Sequence, residues 1–147
     1  MKIQQLENLL DAIQTALPAI NYHEMVIDDS QLVKFMQSIK ASQNLMLFCL
    51  VPDYNGQGTN NAVQTITVVQ LLVMKKAIDT RSHKSFLADL KETEAAGFAI
   101  KDYLVDQRDI NCDLRFFKEA NWQMSPIWNL AGSNGYSINF NLPHNDG

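Results

Sequence analysis

The longest stretch of apolar and β-branched residues runs from Val63 to Ile78 and contains neither Gly nor Pro. Branched side chains restrict χ1 and fit a pleated surface, so this stretch predicts a central β-strand. Its last part, from Leu71 onward, is also compatible with a helix. Both alternating sets of positions are apolar, as Val68 and Val69 illustrate. Since a half-solvated strand alternates more cleanly, we expect both faces of this strand to be covered.

The length of this strand matters as much as its composition. Its sixteen residues would span about 50 Å at about 3.3 Å per residue. A compact domain of 147 residues has a diameter of only about 40 Å. The strand must therefore bend, stop early or project. A projecting apolar strand is typical of an assembly contact, because its unpaired backbone groups would otherwise promote aggregation.

Apolar residues at three- and four-residue spacing predict two helices in the first third of the chain. The first spans Ile3 to Ile20 and is expected to end at Pro18. The second follows Asp28, Asp29 and Ser30, whose short polar side chains suit an N-cap. The acidic pair therefore indicates helix capping rather than metal binding.

A third helix is predicted from Thr80 or Ser82, as its cap, to about Gln107. Gly97 weakens its middle but permits close packing against the sheet. His83 in the first turn has no second His or carboxylate at ligand spacing, which favours a surface residue.

Short apolar or alternating runs predict the remaining strands. They are a short edge strand at Met25–Ile27, a buried strand at Leu45–Val51, and three strands at Leu114–Lys118, Trp122–Trp128 and Tyr136–Leu142.

Turn-forming residues mark two connections. Residues Pro52–Asn61 are too long for a tight hairpin and predict a mobile surface loop between antiparallel neighbours. The Gly56-Gln57-Gly58 step within it lacks the third Gly and the following helix of a dinucleotide-binding loop. Residues Ala131–Gly135 predict a turn in which Asn134-Gly135 adopts positive φ.

Composition narrows the function classes. One domain over residues 1–147 is expected, with 46% hydrophobic and 19% charged residues. The formal charge of −4 and the absence of a Lys/Arg cluster argue against binding to nucleic-acid backbones. No apolar run is long enough to cross a bilayer, and the first residues do not resemble a signal peptide. Cytoplasmic synthesis is therefore expected.

Chemistry-bearing motifs are sparse. Cys49 and Cys112 form no metal-ligand spacing and are interpreted as buried free thiols, with a disulfide or a nucleophilic cysteine as the alternatives. Arg108, Asp109, Asp113 and Arg115 are interpreted as a solvated ion-pair cluster rather than as a catalytic acid pair. No catalytic, metal or cofactor residues are predicted, so we expect a protein that is not an enzyme.

Aromatic residues concentrate in the last third: Phe116, Phe117, Trp122, Trp128, Tyr136 and Phe140. They are interpreted mainly as core, with an aromatic interface patch as the second interpretation. A pocket lined by these rings would instead indicate a small adaptor or ligand-binding module.

These elements predict an α+β fold with a mainly antiparallel sheet of about four to five strands. Two to three helices are expected on one face, in the order helix–strand–strand–helix–strand–strand. This layout is similar to that of the small tail-terminator and tail-completion proteins of tailed bacteriophages and related contractile injection systems. The ending NLAGSNGYSINFNL, Asn129 to Leu142, also resembles the C-terminal strand pattern of small phage structural proteins.

The resemblance implies a ring-forming structural subunit that contacts its own copies and other tail or head–tail connector proteins. It implies assembly in a bacterial cytoplasm and then residence in a virion or phage-like particle, with no cofactor, membrane or direct nucleic-acid recognition. No catalytic residues carry over. The contact regions predicted are the loop Pro52–Asn61 and the strand Val63–Met74. The candidate interface residues are Asp53, Tyr54, Asn55, Gln57, Thr65, Thr67, Val69, Leu71, Trp122 and Trp128.

Overall fold

The protein consists of a mostly antiparallel sheet flanked by helices. The computed structural model describes residues 1–40, 45–76, 83–130 and 132–144. Within those ranges the helices are α1 (Ile3–Ala16), α2 (Asp29–Ser38) and α3 (His83–Gln107). The strands are β1 (Tyr22–Val26), β2 (Met46–Leu50), β3 (Asp53–Thr59), β4 (Ala62–Lys76), β5 (Gln123–Leu130) and β6 (Ser133–His144). The predicted α+β class is confirmed, and β3 is a strand that the sequence did not predict.

The sheet has the order β1-β2-β4-β6-β5, with β3 paired to β4 outside this path. Among the strands that the structure describes, β1 and β2 run parallel and every other pair is antiparallel. β2 pairs with residues 71–74 of β4 and β3 with residues 62–68, while β6 occupies the opposite side of β4. β2 and β3 therefore lie end to end along one side of the long strand β4.

The first two helices form where their sequence patterns predict them. In α1, Leu6, Leu10 and Ile13 are buried. The helix ends at Ala16, just before Pro18, in agreement with the restriction that proline places on the preceding residues. Asp28 caps α2, and its side chain accepts a hydrogen bond from the Gln31 amide at 3.0 Å. This satisfies one of the free N–H groups of the first turn.

Apolar side chains on both faces of the sheet create two separate cores. Val69, Leu71 and Val73 face the cluster formed with α1 and α3, whereas Leu72 and Met74 face the cluster formed with α2. The prediction that the helices share one face is therefore wrong for α2. The physical reason is that both alternating sets of residues in β2 and in the second half of β4 are apolar.

Gly97 in α3 confirms the predicted close packing. A Cβ atom at this position would lie 2.6 Å from the Sδ atom of Met124 and 3.6 Å from Cδ1 of Ile138. The predicted caps Thr80 and Ser82, and the predicted strand end at Ile78, lie outside the described residues.

The strand predicted at Leu114–Lys118 is wrong. The chain instead forms a 3-10 turn at Cys112–Leu114, in which the Asn111 side chain accepts a hydrogen bond from the Asp113 amide at 2.9 Å. Leu114 and Phe117 are both buried. Their three-residue spacing fits a tight turn, in which residues i and i+3 lie on the same side.

The connection between β5 and β6 also differs from the prediction. Positive φ occurs at Asn129 (55°) and Gly132 (75°). Asn134 and Gly135, predicted to hold the positive φ values, belong to β6. Ala131 lies outside the described residues.

Candidate functional site

The two halves of β4 lie in different environments. Residues 69 and 71–74 are at most 4% exposed because helices cover both of their faces. The first half pairs with β3 in a hairpin whose β3 residues are all exposed. We call residues 53–68 the β-arm. β4 is therefore longer than the helical layers, as the length of its sequence pattern predicted. The expectation that both faces of the strand are covered holds only for its second half.

The β-arm corrects the prediction of a mobile loop at Pro52–Asn61. Asp53–Thr59 pair residue by residue with Ala62–Val68, and a two-residue turn, Asn60-Asn61, joins the strands. Gly58 has φ of +116°, and a Cβ atom there would lie 2.2 Å from the Ala62 carbonyl oxygen. Only glycine suits this backbone. The turn-forming residues of Pro52–Asn61 therefore belong to one hairpin rather than to a loop that connects two separate strands.

The outer edge of β3 has no strand against it along its whole length in the described parts of the chain. β6 flanks β4 as far as the pair Thr65–His144, so the base of the arm has three strands and its tip has two. On its other side β4 is covered by β3, and β3 itself has no further neighbour within those residues. Alternate residues of such an edge strand direct their N–H and C=O groups outward.

The two faces of the β-arm differ in chemistry. Tyr54 and Val63 lie on the face continuous with the α1/α3 side and are 47% and 58% exposed. Asp53, Asn55 and Gln57 lie on the opposite face, and Asp53 carries the only charge among the residues of β3. The arm thus presents uncharged amides, one ring and backbone groups.

The predicted interface residues separate into two groups. Asp53, Tyr54, Asn55 and Gln57 are exposed on β3, and Thr65 is partly buried on β4. Thr67, Val69 and Leu71 have no exposed surface, so predicting them as contact residues is wrong for this fold. Thr67 accepts a hydrogen bond from the Met1 amino group at 2.7 Å.

The two tryptophans have different surroundings. Trp122 stacks on Phe140 with ring centroids 5.9 Å apart, and Phe117 packs edge-on against both rings. These three rings pack against one another. The Trp122 Nε1 atom is buried and has no acceptor among the described residues. Trp128 is 74% exposed and packs edge-on against Phe86.

A surface cavity of about 290 Å³ lies between α1 and β1, and Glu7, Asp11 and Glu24 are among its lining residues. The His23 Nε2 atom lies 2.7 Å from Asp11 Oδ1, and its Nδ1 atom contacts the Gln14 amide oxygen. Both ring nitrogens are thus used to attach β1 to α1.

A second cavity, of about 300 Å³, is lined by Arg108, Asp109, Cys112 and Arg115 together with their neighbours. Cys112 is exposed, which contradicts the prediction of two buried thiols, because residue 112 lies in a surface turn rather than a strand. Cys49 is buried as predicted, and burial raises the pKa of its thiol to about 12.

Across residues 1–40, 45–76, 83–130 and 132–144, no group of three or more His, Cys, Asp or Glu side chains could hold a metal ion. No helix in those ranges is long and apolar enough to cross a bilayer. Comparison with protein-family models, curated proteins and solved structures gave no significant match.

Pairing of β3 with β4 is what the sequence pattern missed. DYNGQGT contains no aliphatic residue and does not alternate as strands usually do. The positive φ of this hairpin falls on Gly58 rather than on Asn60 or Asn61, so the turn does not follow the pattern that a two-residue asparagine turn would predict.

Proposed function

We propose that this protein is a non-enzymatic structural subunit that assembles with copies of itself. The observation that supports this proposal is the β-arm, a hairpin with Asp53 as the only charged residue of β3, which extends beyond the helical layers and leaves the outer edge of β3 unpaired in the described residues. Such an edge is a template for another strand. Natural proteins usually shorten, charge or cover it.

The setting we propose is the tail of a phage or phage-like contractile injection system, in which the protein acts as a tail-terminator, tail-completion or connector subunit. This follows the resemblance in layout and C-terminal strand pattern. The chemistry of such a subunit is burial and strand pairing rather than catalysis. A ring in which copies repeat head to tail requires two different complementary surfaces on each copy.

Light scattering on the purified protein over a range of concentrations tests self-assembly. We expect a mass above that of one 16.6 kDa chain, increasing with concentration. A single-chain mass at every concentration would overturn the proposal.

A shortened arm tests whether the arm is the contact. Replacing residues 56–65 by Asn-Gly keeps Asn55 opposite Ile66 and removes the exposed tip. We expect a folded monomer whose far-UV circular dichroism keeps the helical signal of the wild-type protein. An oligomer of unchanged mass would show that the contact lies elsewhere.

A further inference from the structure

We propose that the free edge of β3 pairs antiparallel with β3 of a second copy of this chain, joining the two sheets into one. This inference rests on the proposed self-assembly and adds its partner and register. It follows from a comparison of the three outer strands, β1, β3 and β5, which differ in whether their outer edges are blocked against pairing with another strand.

Strand β5 is unsuited to pairing along its outer edge. Pro126 provides no N–H group. The register shifts between Ile127 and Leu130, and Asn129 has φ of 55°. Proline and bulges are devices by which natural proteins block an edge. β5 therefore offers an interrupted ladder to any neighbour.

Side chains occupy two outward amide groups at the end of strand β1. Val26 faces β2, because its carbonyl accepts a hydrogen bond from the Val51 amide at 2.8 Å. Met25, one residue earlier, therefore faces outward, and its amide donates to Glu24 Oε1 at 3.1 Å. Just after the strand, the Ile27 amide donates to Gln31 Oε1 at 2.7 Å. An incoming strand would have to displace these acceptors.

Strand β3 has neither kind of protection. Its seven residues, DYNGQGT, include no proline and no lysine, and no side chain in the described residues bonds to its backbone. Two glycines, Gly56 and Gly58, also leave the strand sterically open. This contrast among three outer strands singles out β3 as the edge that can pair.

A second copy of β3 is a suitable partner because the strand is complementary to itself. If the two-fold axis passes at Gly56, Tyr54 lies opposite Gly58 of the other copy, and Asn55 lies opposite Gln57. The Tyr54 ring then covers Gly58 of the other copy, and the side-chain amide of Asn55 faces that of Gln57. Asp53 lies opposite Thr59, which keeps the two carboxylates at opposite ends of the ladder.

Ile27 supports the same arrangement. Its side chain is 66% exposed and lies where β3 begins, because Val26 bonds to Val51. In an antiparallel pair centred on Gly56, the tip of the other copy's arm reaches this end of β3. The contact would therefore cover one of the most exposed aliphatic side chains in the described residues. The pairing joins copies two by two, so a larger ring needs a second, different contact.

Cysteine crosslinking tests the register. In a C112S background, G56C places one thiol on the two-fold axis, where opposite Cα atoms in an antiparallel pair are about 4.5–5.5 Å apart, within disulfide range. The new Cβ would lie 4.0 Å from Val63 Cγ1 at its nearest contact, so it fits the fold. We expect mild oxidation to give a disulfide-linked dimer. The control is Q123C on the exposed surface of β5, which should stay monomeric. Absence of the G56C dimer, or equal crosslinking of Q123C, would overturn the register.

Charge pairs test the contact without a covalent bond. N55K/Q57K places like charges opposite each other twice, whereas N55K/Q57E places opposite charges there. Both positions are exposed, so neither variant should affect folding. By sedimentation equilibrium we expect N55K/Q57K to raise the dissociation constant about tenfold or more and N55K/Q57E to stay within about threefold of wild type. Equal behaviour of the two variants would refute β3 pairing.

The outcomes separate the two proposals. An oligomer that neither charge variant weakens and that G56C does not crosslink would overturn β3 pairing but leave self-assembly intact. A wild-type protein that remains monomeric would overturn the proposed function and β3 pairing with it.

Discussion

Gly135 in β6 lies directly against the backbone of Val73 in β4. A Cβ atom at Gly135 would lie 1.9 Å from the Val73 carbonyl oxygen and 2.9 Å from the Cα atom of Met74. The φ angle of Gly135 is not positive, so the requirement is for space rather than for backbone freedom. This contact lies within the β4–β6 ladder, which spans residues 65–76 of β4.

G135A should therefore destabilise the whole sheet. Because the obstructing atoms are backbone atoms, the strands must separate to admit a methyl group, and we expect a loss of about 3 kcal/mol or more in the free energy of unfolding. Urea denaturation followed by circular dichroism measures it. G56A is the control, since its Cβ would make only one contact, at 4.0 Å. Equal stability of G135A and wild type would contradict this packing.

Two valines on the same face of β4 should respond oppositely to a buried charge. Val69 has no exposed surface, whereas Val63 is 58% exposed. V69D would bury an unpaired carboxylate and should prevent folding, because that cost exceeds the typical stability of a domain. V63D should give a folded protein. One-dimensional proton NMR shows whether each variant is folded. A dispersed spectrum for V69D would contradict the position of Val69 in the core.

The two cysteines should differ in reactivity. Burial raises the pKa of Cys49 to about 12, so almost no thiolate is present at pH 8, and the sulfur is inaccessible. Cys112 is exposed. We expect Ellman's reagent to modify one thiol per native chain and two per chain in guanidinium chloride. C112S should show none until it unfolds, and rapid native reaction of that variant would contradict the burial of Cys49.

Asp89 should make stability depend on pH. Burial raises the pKa of its carboxyl group and Glu92 adds to this, while Lys75 and a hydrogen bond with Asn134 oppose it. Because the folded-state pKa lies above the ordinary value of 3.8, the folded protein holds this proton more tightly than the unfolded chain. The contribution of Asp89 therefore falls as pH rises through its folded-state pKa and remains lower at pH 7.

D89N removes this titration and keeps the side-chain shape. Lys75 retains Glu92, whose Oε2 atom lies 2.5 Å from its Nζ atom. We expect the variant to melt at a higher temperature than wild type at pH 7, with the difference shrinking towards pH 3. Thermal melts across this range provide the measurement. A lower melting temperature at pH 7 would mean that attraction to Lys75 outweighs the cost of burial.

Local patterns were sufficient for much of the fold. The burial of Leu6, Leu10 and Ile13 along one side of α1, and the cap at Asp28, follow from short-range spacing and hydrogen bonding. The central strand was also predictable, because β-branched residues favour a pleated surface wherever they pack. Each of these features depends on residues within a few positions of one another.

Only the tertiary structure determined which helices pack on each face of the sheet and which strand edges are exposed. Both alternating sets of residues in β2 are apolar, so the sequence could not determine which face α2 would cover. The candidate contacts Val69 and Leu71 became core for the same reason, since α1 and α3 occupy their face. Leu114 and Phe117 pack from a tight turn rather than from a strand.

The sequence by itself determined the helices and the excess length of β4. Only the tertiary structure determined that Asp53–Thr59 form a strand, because these residues have no apolar pattern of their own and are held extended by pairing with β4. Hydrogen bonds between backbones are almost independent of side-chain identity. An edge strand that is held by backbone hydrogen bonds therefore cannot be predicted from the pattern of hydrophobic and polar residues.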